Sequence, residues 1–103
     1  LRVLLADDHG IVRRGLKGLV EEAGYAVVAE AADGLEAMRL TEELRPDLLI
    51  LDIGMPRLSG LEVAARAQKL DRPPGVIILS MHSDESYIIR ALAAGARAYL
   101  LKD

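Results

Sequence analysis

The sequence predicts an α/β domain: one parallel sheet of five strands with helices packed on both faces. Three observations carry this. Short apolar runs alternate five times with stretches of helical periodicity. The runs are continuously apolar, as strands buried on both faces are. At 103 residues, just over half of them apolar, the chain has room for one core and one domain, with no repeat, linker or low-complexity segment.

Each element has its own signal. Leu1 to Ala6 forms the first strand. Val12, Leu16, Leu19, Val20 and Ala23 recur at helical spacing toward a stop near Gly24. Gly15 and Gly18 each weaken that helix by roughly 1 kcal/mol against Ala, so packing must hold it. Tyr25 to Ala29 is the second strand. Asp33 and Glu36 form a capping box opening a helix to about Leu44, with Ala37, Leu40 and Leu44 inward and Pro46 as its stop. Leu48 to Leu51 is the most apolar strand and is expected at the centre. Ser59 and Glu62 form a second capping box, with Val63, Ala67 and Leu70 inward. Arg72 to Gly75 is a turn, and Val76 to Leu79 the fourth strand. Ser83 or Asp84 caps a helix with Ile88, Ala91 and Leu92 inward, ending at Gly95. Ala98 to Leu101 is the fifth strand.

Composition narrows the function. Without cysteine there are no disulfides, thiolate metal sites or cysteine nucleophiles. A net charge of −3, with acids and bases mixed, argues against a nucleic-acid surface in this segment. No apolar stretch is long enough to cross a bilayer, and no basic-then-apolar leader opens the sequence. The first residue is Leu rather than Met, which points to residues upstream.

In parallel α/β sheets, ligands bind beyond the carboxyl ends of the strands. There the sequence delivers Asp7 and Asp8 after strand one, Asp52 after strand three, Ser80 after strand four and Lys102 after strand five. Three carboxylates about 5 Å apart repel by on the order of 3 kcal/mol per pair at an effective dielectric near 20. Such a site protonates or holds a cation. Oxygen ligands without a His or Cys cluster suit Mg²⁺, with Mn²⁺ as the substitute, rather than zinc. Asp7 and Asp8 alone would equally fit a solvated helix N-terminus. His9 is expected at the helix entry with its ring in solvent, and His82 on a loop without a partner.

The stretches "ADDHGIVRRGL", "LLILDIGMPRLSGLEV", "VIILSMHSDE" and "ALAAGARAYLLKD" resemble the receiver domain of two-component response regulators over nearly the whole chain. The combination is specific: DD, then D-x-x-M-P-x-x-x-G, then S, then K, in order and on the right strands. The wording around these motifs is similar to receivers fused to a LuxR-type helix-turn-helix output domain. The resemblance implies a flavodoxin-like, doubly wound sheet of order 2-1-3-4-5. In that order Asp7, Asp8 and Asp52 converge. Strand five then lies about 10 Å from strand three, and an extended lysine spans about 6 Å of that gap.

By the same resemblance, Asp52 is the phosphoacceptor for a phosphohistidine on a partner histidine kinase. Asp8 binds Mg²⁺ directly, Asp7 mainly through water, and the Gly54 carbonyl completes the protein ligands. Lys102 neutralises phosphate charge. Ser80 hydrogen-bonds the phosphate and Tyr99 rotates into the vacated space, shifting the surface around the fourth helix. The implied setting is cytoplasmic, with an output domain that binds DNA in the parent chain and homodimerisation on phosphorylation. Receivers continue into a fifth helix, whereas this chain ends at Asp103. Residues 1–103 are therefore expected to be a receiver truncated before that helix, with one flank of the sheet uncovered near strands one and five. The helix would be disordered, proteolysed or replaced by a partner. Gly10 stands where many relatives carry Pro, and Gly54 is small for its position.

Two other functions compete. A Mg²⁺-dependent phosphatase with an aspartate nucleophile usually has a second acid two residues later, where this chain has Gly54. A receiver-like scaffold that is never phosphorylated would not need the full acid, serine and lysine set. A nucleotide-binding P-loop is excluded, because G-x-x-x-x-G-K is absent.

Overall fold

β3 (Leu48–Asp52) lies at the centre of the sheet, as its unbroken apolar run predicts. The computed structural model describes residues 1–81 and 85–102. Along them run β1 (Arg2–Ala6), α1 (Gly10–Glu22), β2 (Ala26–Ala31), α2 (Gly34–Leu44), β3, α3 (Gly60–Ala67), β4 (Gly75–Ser80), α4 (Glu85–Ala93) and β5 (Ala98–Leu101). All pairings are parallel, and the order is β2-β1-β3-β4-β5. This is the flavodoxin-like sheet. Strand order reverses between β1 and β3, which opens a crevice beyond their carboxyl ends.

The period-2 alternation of the strands divides the core in two. Leu4, Ala6, Leu49, Leu51, Val76 and Ile78 turn to one face and pack with Ala37 and Met38 of α2 and Val63, Ala64 and Ala67 of α3. Val3, Leu5, Ile50 and Leu79 turn to the other, against Leu16 and Val20 of α1. Burying a Leu or Ile side chain fully contributes about 1.5–3 kcal/mol, so the α2–α3 face holds most of the stabilisation.

The Asp33 capping box closes, and Ser59 caps α3 through one side-chain bond. Asp33 accepts from the Glu36 N–H (2.8 Å), and the Glu36 carboxylate accepts in return from the Ala32 N–H (3.1 Å). Ser59 Oγ accepts from the Glu62 N–H at 3.3 Å. α2 stops at Arg45, left-handed at φ 48°, ahead of Pro46.

Several inward positions differ from expectation. In α2, Met38 and Thr41 are buried, while Leu40 and Leu44 are only half-buried. Apolar periodicity overlooks Thr41, whose hydroxyl satisfies itself on the Ala37 carbonyl (2.7 Å). In α4 the buried residue is Ala91, and Leu92 is 55% exposed. Small Ala91, not Leu92, makes the close approach. α1 buries none of its residues, and Leu19 is 64% exposed. α1 is the one helix packed on that face among the described residues, and exposed Leu100 and Leu101 of β5 continue the apolar surface. β2 begins at Ala26, leaving Tyr25 outside the strand. The expected caps Ser83 and Asp84, and His82, lie outside the described residues.

Candidate functional site

Strand register builds the site. Ala6 of β1 pairs with Leu51 of β3, so the next residues, Asp7 and Asp52, leave the sheet side by side. Backbone bonds extend the ladder past the strand ends: Asp7 N–H to the Ala31 carbonyl (3.0 Å), Ile53 N–H to Leu79 (3.1 Å) and Lys102 N–H to Ser80 (2.7 Å). A Cβ at Gly60 would run into the Asp52 carbonyl. That is the physical content of the glycine eight residues after the aspartate: α3 begins against the backbone of the site.

Asp7 and Asp52 are buried, and Asp8 is one-third exposed. The Lys102 ammonium lies 2.9 Å from Asp7 Oδ2 and 3.4 Å from Asp52 Oδ2. Its closer partner is Asp7. Asp7 Oδ1 accepts from the His9 N–H (2.8 Å), and the Arg13 guanidinium holds the Asp7 carbonyl at 2.6 Å while pairing with Glu30 at 3.1 Å. Asp52 Oδ1 accepts from the Gly54 N–H at 3.3 Å. Oδ2 of both buried aspartates has no aligned hydrogen bond, so the nearby ammonium acts on each as a point charge.

The two buried carboxylates respond oppositely. Burial works against the Asp7 anion, but Lys102 and the His9 amide outweigh it and hold its pKa below the usual 3.8. Burial also works against the Asp52 anion; the Gly54 N–H and Lys102 oppose it, but the Asp7 charge adds to it, and the pKa rises above 3.8. Burial disfavours the Lys102 ammonium, yet Asp7 and Asp52 push its pKa above 10.5. The group between the two acids therefore stays charged.

Two buried carboxylate oxygens without an aligned hydrogen bond, beside a more exposed acid, are what a hard divalent cation needs: some ligands fixed and one side open to water. One ligand atom each from Asp7, Asp8, His9 and Asp52 lies within 4.8 Å of the others. The residues fit such an ion.

The structure thus brings together Asp7, Asp8, Asp52 and Lys102. Gly54 is exposed beside Asp52, and the position of a Cβ on it would be open. Ser80 is buried at the end of β4, and Tyr99 is half-buried, packed against the larger core. His9 meets expectation in part, with its ring largely exposed. It is the residue before α1, as foreseen, but its Nδ1 is turned into the cluster: 3.0 Å from Asp7 Oδ1, 3.3 Å from Asp8 Oδ1 and 3.3 Å from Lys102 Nζ. The available signal was its adjacency to the acidic pair; what sequence lacked was the turn that folds the ring back.

A five-stranded 2-1-3-4-5 sheet with acids at its switch point and a lysine after the last strand defines a class of signalling domain. The chain matches the response regulator receiver domain over residues 3–103, and it belongs to that family. It is 41% identical to YhcZ of Bacillus subtilis (strain 168), a transcriptional regulatory protein, over the full chain and 49% of YhcZ. The chain spans about half the length of the curated relatives it matches. Among solved structures, the receiver domain of the response regulator NarL from Mycobacterium tuberculosis superposes with a TM-score of 0.95 at 36% identity, covering 100% of this chain and 84% of that one. CheY from Borrelia burgdorferi, solved as a CheX–CheY–BeF3–Mg complex, gives 0.94 at 27% identity, covering 100% and 78%.

Proposed function

We propose that this receiver takes a phosphoryl group on Asp52 from a histidine kinase in a Mg²⁺-dependent reaction. Asp52 Oδ2 is the nucleophile: it attacks phosphorus, the P–N bond of the phosphohistidine breaks, and an acyl phosphate forms. The observation carrying this is Asp52 Oδ2 itself, buried, unaligned with any donor and 3.4 Å from a lysine. Poor solvation keeps that oxygen reactive. Asp8 and Asp52 would hold the ion directly, Asp7 mainly through water, and the Gly54 carbonyl would complete the set. When bound, the ion offsets charge on the phosphoryl oxygens during transfer. The Mg–BeF3 complex of the Borrelia CheY supports the same ligand chemistry here.

Lys102 pairs with the phosphate once Asp52 is esterified. Ser80 hydrogen-bonds a phosphate oxygen, and Tyr99 follows inward, biasing the surface around α4. Residues 1–103 act as a receiver, attached in the parent chain to an output domain of the LuxR type that binds DNA, while this segment touches no nucleic acid. Phosphorylation promotes homodimerisation, and the setting is cytoplasmic. The domain signals; its only chemistry is its own phosphorylation and dephosphorylation.

Incubation with acetyl phosphate tests the reading. Near-stoichiometric, base-labile label is expected with Mg²⁺, absent under chelation and absent in Asp52→Asn. Many turnovers of an unrelated phosphomonoester would support a phosphatase instead. No label on the folded domain would overturn phosphoacceptance.

A further inference from the structure

His9 adds a nitrogen to a site otherwise made of oxygen. Its backbone N–H donates to Asp7 Oδ1 at 2.8 Å, and its ring Nδ1 lies 3.0 Å from the same oxygen, which places the ring beside the cluster. Nδ1 is then 3.3 Å from Asp8 Oδ1 and 3.9 Å from Asp52 Oδ2. An octahedral ion with ligands at about 2.1 Å sets neighbouring ligand atoms roughly 3 Å apart and opposite ones about 4.2 Å apart. The 3.0 and 3.3 Å separations are near the spacing of neighbouring ligands, and the 3.9 Å separation is nearer that of an opposite pair. The ring is 61% exposed, and Asp7 Oδ2 and Asp52 Oδ2 are buried beside it without an aligned hydrogen bond.

We infer that the site accepts borderline transition-metal dications such as Co²⁺ or Ni²⁺, with His9 Nδ1 as a direct ligand alongside the carboxylates. This rests on the divalent site of the proposed function and extends it. An imidazole adds little for Mg²⁺, which prefers oxygen, but adds affinity for Co²⁺ and Ni²⁺. Nδ1 also lies 3.3 Å from Lys102 Nζ, and a metal ion held by Nδ1 would replace that contact.

Calorimetric titration of the wild-type domain and of His9→Ala with CoCl₂ and MgCl₂ tests this, with ¹H NMR of the Co²⁺ form as a second readout. The expected result is a loss of Co²⁺ affinity of about tenfold or more in His9→Ala, with Mg²⁺ affinity changed less than about twofold. A hyperfine-shifted imidazole resonance is expected in the wild type and absent in His9→Ala. Unchanged Co²⁺ affinity, or equal loss for both ions, overturns the inference while leaving Mg²⁺ binding intact. If the wild type binds neither ion, the divalent site itself falls, and the proposed function with it.

Discussion

The sheet surface under α2 and α3 and the rim at the carboxyl ends of β1 and β3 are built by opposite rules. Under the helices every neighbour agrees: Leu4, Leu49, Leu51, Val76 and Ile78 are fully buried among apolar partners, and the buried hydroxyl of Thr41 is hydrogen-bonded. At the rim, two buried carboxylates share one ammonium, and each keeps an oxygen without an aligned donor. The contrast teaches where stability resides. The α2–α3 face supplies the surplus that lets the rim remain electrostatically unsatisfied in the absence of a cation. Within the rim, Asp7 gains more from Lys102 and His9 than it loses to burial, whereas Asp52 loses more than it gains.

The largest effect expected from this contrast is in the core. Ile78→Ala should destabilise the domain by about 2–5 kcal/mol in urea unfolding, because a fully buried side chain is removed from a packed layer. A cost below about 1 kcal/mol would contradict a tightly packed α2–α3 face. Next comes the ion. Mg²⁺ at a hundredfold excess over its Kd should add about 2.7 kcal/mol of apparent stability, and the gain should vanish in Asp52→Asn; thermal melts with and without chelator read it directly.

In chelator at pH 7 the two aspartates should then separate. Asp52→Asn should raise Tm, on the order of 2–5 °C, by removing an anion that burial and Asp7 disfavour. Asp7→Asn should lower it, because there the anion is favoured by Lys102. If both variants shift Tm the same way, the unequal sharing of the ammonium is wrong.

Titration sharpens the same pair. Asp52, with its folded pKa raised, contributes stability in its protonated form at low pH and loses it as pH rises above 3.8 through the folded value. Asp7, with its folded pKa lowered, contributes stability above 3.8 and loses it as pH falls below that through its folded value. The Tm advantage of metal-free Asp52→Asn should therefore shrink as pH falls from 7 toward 4, while Asp7→Asn should show its deficit throughout that range. The smallest effect belongs to neither region: Arg39→Ala removes an exposed pair with Glu43 four residues on, and should change stability by less than about 0.5 kcal/mol.

Local signals were legible where one residue's chemistry decides the outcome. β5 spans Ala98–Leu101 as its apolar run indicates, and Asp33 and Ser59 both cap their helices. Gly60 was visible as part of a motif, but its reason, contact with the Asp52 carbonyl, is a tertiary distance. Leu19 and Leu92 were misjudged for a common cause. Helical periodicity names an apolar face but not how much of it another element covers, and in both helices the covered part is narrower than the apolar one. Met38 and Thr41 show the converse, since depth in α2 is set by how close the helix lies to the sheet and not by side-chain hydropathy.

By itself the sequence determined the alternation of strands and helices, the caps, and which strand ends carry acids and which the lysine, because each follows from local pattern and the two-residue pleat. Tertiary structure alone decided how charge is apportioned at the rim. That Lys102 sits nearer Asp7 than Asp52, that the two buried acids shift in opposite directions, and that His9 turns its Nδ1 inward all depend on separations of a few ångströms between residues up to 95 positions apart in the chain. Electrostatic energy in a buried site varies steeply over such distances, and local sequence carries no measure of them.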